Sequence, residues 1–227
     1  MQATPSKPLP AARRLDILTE ILVNENEMGR NQEQNQLQRD TQRARILSSS
    51  LRLFVSRGFA ATRITDIAAE TGISSGLLYH YFQSKDDMLV ALLQESLPKM
   101  DAAARDLEAM ELPVADKIRL ALRLLIRGIQ ENAETGKFHL LVALVSASEA
   151  LPDAARQILA RHAHGPYQIM ERIFAKGQAE GSVRSGNPRD MAMLFWALVK
   201  GLSIHHSIHG NTLGEADPES VLPLFLK

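Results

Sequence analysis

The sequence predicts an all-α protein, and three observations predict it. Apolar residues recur at helical spacing from Gln42 onward, glycine and proline mark the breaks between these runs, and alternating β-branched runs are few. The 227 residues are 45% hydrophobic and 23% charged, enough to bury one or two cores and too apolar for a disordered chain. No cysteine is present, which excludes disulfides, thiolate metal sites and a cysteine nucleophile. The apolar stretches Leu140 to Val145 and Met191 to Val199 fall short of the roughly 18 residues of a membrane span. A cytoplasmic protein with no membrane partner is the expectation.

Residues 1–40 read as a flexible N-terminal arm. Pro5, Pro8 and Pro10 are followed by a short amphipathic helix over 11–23, spaced by Ala11, Leu15, Leu18 and Leu22. The polar tract from Asn31 to Gln36 has no apolar period. Residues 41–97 read as a compact three-helix head. Ile46, Leu47, Leu51, Phe54 and Val55 share one face of helix one, which Gly58 stops. Thr62 is placed to cap a short second helix that ends at Gly72, where glycine permits a sharp turn. Ser74 caps a third helix over 75–82, and Ser84 with Asp86 and Asp87 opens the fourth.

Two short helices joined by a glycine turn and packed through Ile67, Ala68, Ile73 and Leu78 form a helix-turn-helix, whose second helix can enter a DNA major groove. Ser75, Gly76, Leu77, Tyr79 and His80 are available on that helix, while Thr62, Ser74 and Lys85 sit at helix N-termini that favour phosphate oxygens. From residue 41 to 90, Arg43, Arg45, Arg52, Arg57, Arg63 and Lys85 face Asp66, Glu70, Asp86 and Asp87, a net +2 in a chain that is neutral overall. Affinity for DNA is then expected to fall with salt.

Residues 98–227 read as a helical bundle with breaks at Pro98, Leu112-Pro113, Thr135-Gly136, Leu151-Pro152, Gly165-Pro166, Gly181 to Pro188 and Gly210 to Pro218. The helix from Met191 to Leu202 is apolar over more than one face, so Phe195, Trp196, Leu198 and Leu202 are candidates for a dimer seam. His205 and His209, four apart, with His162 and His164, have spacing compatible with a shared ion. No carboxylate pattern accompanies them, so they read as surface or interface histidines and no metal or cofactor is assigned. No nucleophile–base pair, paired carboxylates or phosphate-cradling glycine loop has usable spacing, so no enzyme is expected.

The stretch from Gly58 to Ala68, then Gly72-Ile73-Ser74, Gly76 to Phe82 and Ser84-Lys85, resembles the DNA-binding domain of tetracycline-repressor-type (TetR family) regulators. Gly177 to Gly181 and Phe195 to Leu202 resemble the family more loosely. The resemblance implies a homodimeric regulator, a repressor released from a palindromic double-stranded DNA operator by a small-molecule effector. Carried over by position, Tyr79 and Lys85 contact phosphates, Thr62 or Arg63 begins helix two at the DNA backbone, and Thr65, Ser75, Gly76, Leu77 and His80 face the groove. It also places the ligand-binding and dimerisation domain in residues 98–227 and the dimer seam in the apolar helix. The effector pocket is expected among helices between Ala115 and Phe174, with unknown lining residues. A helical ligand-binding or protein-interaction module without specific DNA binding is the alternative.

Overall fold

A computed structural model describes residues 11–148, 151–162, 164–210 and 217–227, with side chains from residue 34 onward except at 133. The chain divides into two compact units, 1–45 and 46–227. In the first, the described residues are helical, as part of α1 (Ala11–Arg57). The expected arm is therefore a helix from Ala11 onward, and its residues 1–10 lie outside the described part. The Asn-Gln tract contains good helix formers, and i,i+4 bonds such as Gln36 Nε2 to Asp40 Oδ1 at 3.0 Å give a polar helix support without burial.

The second unit begins within α1 and continues through α2 (Ile64–Thr71), α3 (Ser75–Tyr81), α4 (Lys85–Ala109), α5 (Val114–Glu131) and α6 (Ala133–Ser146). It ends with α7 (Asp153–His162), α8 (Gly165–Ala179), α9 (Pro188–His209), α10 (Pro218–Val221) and a single 3-10 turn, Leu222–Leu224. Among the described residues there is no strand; one isolated antiparallel bridge, Val183 to Leu226, ties the C-terminus to the α8–α9 turn. All-α is the class observed.

Three boundaries differ from expectation. The first cap of α2 is Arg63, whose backbone N–H donates to Asp66 Oδ2 at 2.9 Å, because the Thr62 side chain turns inward. Pro98 lies inside α4, so the expected boundary at 97/98 falls within a helix. The core continues on both sides of it, with Leu93 before and Ala104 and Leu107 after, and this burial outweighs the missing backbone donor. Gly136 lies inside α6, and the break falls instead at Asn132, whose side chain accepts from Glu134 N–H at 2.9 Å.

Two cores organise the unit. One gathers Ile46, Phe54, Ile67, Leu78, Met88 and Leu93 with Leu141, Val145 and Ile158, so the helix-turn-helix shares its interior with α6 and α7. The other joins α5, α8 and α9 through Ile118, Leu122, Phe174, Phe195 and Val199. The α9 helix, 22 residues long, also meets the length and composition of a membrane span, which the shorter run read from sequence does not. Ala192, Phe195, Trp196 and Val199 lie in the core and Lys200 stands mid-helix, the pattern of a core helix.

Candidate DNA interface and effector cavity

The turn between α2 and α3 is built by Gly72, at φ 74° and ψ 29°, a left-handed conformation that favours glycine. Ile73 N–H then bonds back to Ala68 O at 3.0 Å, closing the helix end. Ile67, Ala68 and Leu78 are buried at 0, 3 and 0% exposure and fix how the two helices cross. Ser74 Oγ accepts from Leu77 N–H at 3.1 Å and starts α3. Phe82 is buried beneath, which leaves the other side of α3 to solvent.

On that side Gly76, Leu77, Tyr79 and His80 are exposed, with Tyr79 at 53% and Leu77 at 42%. Arg63, Thr65 and Ser74 are exposed beside them, and Ser75 is half-buried. Large apolar and aromatic side chains held in water on a seven-residue helix suit apolar and stacking contact with a second surface. Two arginines of the head are already paired, Arg52 with Glu70 at 3.3 Å and Arg57 with Asp66 at 3.4 Å, so the modest +2 is spread thinly over the exposed face.

Two expected interface residues are placed differently. Thr62 is 1% exposed, and its hydroxyl lies 2.8 Å from Gly58 O and 3.3 Å from Leu53 O. Its side chain closes the α1–α2 turn. Lys85 Nζ donates to Phe59 O at 2.9 Å, Ala60 O at 2.9 Å and Thr62 O at 3.2 Å, and stands 4.9 Å over the Phe59 ring. An ammonium has three N–H donors, and here each has a carbonyl. The cation that dipole arguments disfavour at a helix start is answered by the turn before α2, a tertiary partner that local reading does not reveal.

Two of the four expected seam residues also differ. Phe195 is fully buried, with rings of Phe174 and Phe225 at 6.2 and 5.8 Å, and Trp196 Nε1 donates to Pro166 O at 3.1 Å. Both belong to the protomer's own core; Leu198 and Leu202 are half-buried. α9 leaves Met193, Leu194, Ala197, Gly201 and Ile208 in water, the last four along one helical face. Among the described residues no group of three His, Asp or Glu is arranged to hold a metal. His205 and His209 lie 4.8 Å apart ring to ring as neighbours on the helix surface.

A cavity of about 970 Å³ opens among α4, α6, α7, α8 and α9. It overlaps the expected span through α6, α7 and α8 and extends beyond it: α5 lends no wall, whereas Leu97, Met100 and Asp101 of α4 and Trp196 and Lys200 of α9 do. Helical periodicity shows that a face is apolar and not which neighbour it meets. Asp101 is buried and bonds His162 Nδ1 at 2.5 Å, joining α4 to α7. His139 of α6 is buried, with Nδ1 2.8 Å from Ser203 Oγ, and burial, reinforced by Lys200, lowers its pKa to about 4.

That shift has a measurable consequence. A histidine depressed in the folded state contributes stability fully above its unfolded pKa near 6.5, and loses it as pH falls toward about 4. Urea unfolding is expected to show a drop of about 2 to 3 kcal/mol between pH 7 and pH 4 that is absent from His139→Gln. An equal drop in both proteins would place the acid sensitivity elsewhere.

Residues 46–92 match the family model for bacterial regulatory proteins of the tetR family. The chain is 27% identical over 167 residues to the HTH-type transcriptional activator FasR of Mycolicibacterium smegmatis, covering 69% of this chain and 76% of that one. Other curated relatives, 40 to 43% identical, match over 67 or 68 residues and only 23 to 34% of their own length. In structure, the chain is similar to the MbdR regulator from Azoarcus sp. CIB, with a TM-score of 0.64 at 26% identity, covering 81% of this chain and 94% of that one. AibR, solved with isovaleryl coenzyme A and operator DNA, shares the fold at a TM-score of 0.63 and 19% identity, over 80% of this chain and 94% of its own. The helix-turn-helix head, residues 46–92, is that of the tetR family of bacterial regulatory proteins, and the helical bundle that follows is similar to those of solved regulators with the same head.

Proposed function

We propose that the protein is a cytoplasmic, sequence-specific DNA-binding transcriptional regulator, a repressor that a small molecule releases from a palindromic operator. The observation that carries this is the exposed face of α3, with Leu77, Tyr79 and His80 in water on a helix fixed by the Gly72 turn. Ser75, Gly76, Leu77 and His80, with Thr65, take base edges in the major groove, while Tyr79, Arg63 and the Ser74 end of α3 take phosphates. Thr62 and Lys85 shape the turn that presents them. The reading gives the chain no catalytic step.

A dimer supplies the second half-site, and the exposed Leu194, Ala197, Gly201 and Ile208 face of α9 supports self-association there. The cavity is the effector site. One wall, Leu97 to Asp101, belongs to the helix that begins at Lys85 under the head, so a ligand that displaces it moves α3. Isovaleryl coenzyme A and operator DNA in the AibR structure support a family member binding both classes of partner.

The test is selection of bound fragments from random duplex DNA with the purified protein. Enrichment of one palindrome with half-sites roughly 34 to 36 Å apart is expected. Binding without a preferred sequence would favour the interaction-module alternative.

A further inference from the structure

Lys200 is the cavity's unusual group. It stands half-buried in the middle of α9, donates from Nζ to Tyr167 Oη at 2.9 Å and lies 5.1 Å over the Tyr167 ring. No carboxylate among the described residues comes within ion-pairing distance of it. The acids that share the cavity are otherwise disposed: Asp101 is held by His162, and Glu171 and Asp190 line it without pairing to Lys200. Arg156 also lines the cavity and donates to Leu151 O at 3.3 Å, and Arg189 is exposed to solvent. Lys200 thus retains two N–H donors and a full charge for whatever enters.

Beside it, Ser203 Oγ donates its one proton to Val199 O at 2.8 Å, so it accepts from His139 Nδ1–H at 2.8 Å. The neutral ring then keeps Nε2 as a proton acceptor. Leu97, Met100, Val142, Leu151 and Leu159 supply an apolar wall, and the volume suits a molecule of drug or lipid-acid size.

The geometry points to an amphipathic monocarboxylate as the cavity's ligand, its carboxylate on Lys200 Nζ and its apolar body against Leu97, Met100, Val142 and Leu159. A hydroxyl or amide N–H near the carboxylate finds its acceptor at His139 Nε2. The cations that line the cavity, Lys200, Arg156 and Arg189, are matched by Asp101, Glu171 and Asp190, a balance that suits a single negative charge and disfavours a polyphosphate. This deepens the effector reading and rests on it.

Trp196, the sole tryptophan, lines the cavity and reports binding through its emission. The full-length protein is titrated with decanoate, methyl decanoate and decylamine, each below its micelle concentration. Decanoate is expected to bind saturably and about tenfold or more tighter than the methyl ester, a gap that Lys200→Gln closes and Lys200→Arg largely keeps. Equal binding of acid and ester by the wild-type protein, preference for the amine, or no saturable binding of any probe would overturn the assignment. Because the acid–ester comparison needs only the wild-type chain, it stands even if a Lys200 variant misfolds. A protein that selects a palindrome and ignores decanoate loses only the ligand class. Failure to select DNA while decanoate binds removes the regulator reading and leaves the carboxylate site.

Discussion

Gly136→Ala is expected to destabilise the protein by about 1 to 3 kcal/mol, whereas Gly128→Ala is expected to stabilise it by about 0.4 to 1 kcal/mol. Both glycines stand inside helices, and by propensity alone both changes would be favourable. A Cβ at Gly128 meets nothing within 4 Å. At Gly136 it would lie 2.4 Å from Ser203 O and 3.1 Å from Ser207 Cβ, so the backbones of α6 and α9 must part. No side-chain rotation relieves a clash with a backbone oxygen. For a chain of this size the melting temperature falls by roughly 3 to 10 °C in the first variant and rises slightly in the second. The same displacement disturbs the His139–Ser203 bond, so decanoate affinity weakens along with stability. Thermal melts that rank the two variants in the opposite order would contradict the close α6–α9 packing.

Lys85→Met is expected to lower stability by about 1.5 to 3 kcal/mol and to weaken binding to every DNA sequence, without flattening the salt dependence. The physical reason is the fate of Phe59, Ala60 and Thr62, whose carbonyls share the ammonium. Without the cation the turn before α2 loses its tie to α4, and the α2–α3 pair loses its fixed orientation. A phosphate-contacting lysine behaves differently: its removal leaves the melting temperature in place and reduces the slope of log K against log salt by about 0.9 per contact. Unfolding by urea together with binding isotherms at several salt concentrations separates the two roles. Tyr79→Ala supplies the comparison, since Tyr79 is exposed and its loss is felt only by DNA.

The helix-turn-helix was legible in the sequence because its signals are local. Gly72 marks the turn, Ser74 the cap, and Ile67, Ala68 and Leu78 the shared interior, all within a dozen residues. What stayed hidden depends on contacts between distant segments. Thr62 reads as a cap until the carbonyls of Leu53 and Gly58 claim its hydroxyl. Lys85 reads as a phosphate ligand, and nothing local reveals that the turn up to 26 residues earlier accepts its N–H donors. In α9 the periodicity shows two apolar faces and does not say which turns inward: Phe195 and Trp196 do, and Leu194 and Ile208 do not. Pro98 signals a break that the cores on either side override. The cavity is the extreme case, since its walls come from five helices and leave no mark in any one of them.

The central claim is that α3 reads DNA sequence, and selection of random duplex DNA by wild type and by Leu77→Ala/His80→Ala tests it most directly. The account predicts that the double variant keeps the half-site spacing and its affinity for unrelated DNA. It should lose preference at one or two positions of each half-site, about 1 to 3 kcal/mol at each. A variant that enriches the same motif as strongly as the wild type would show that α3 is not the reading element.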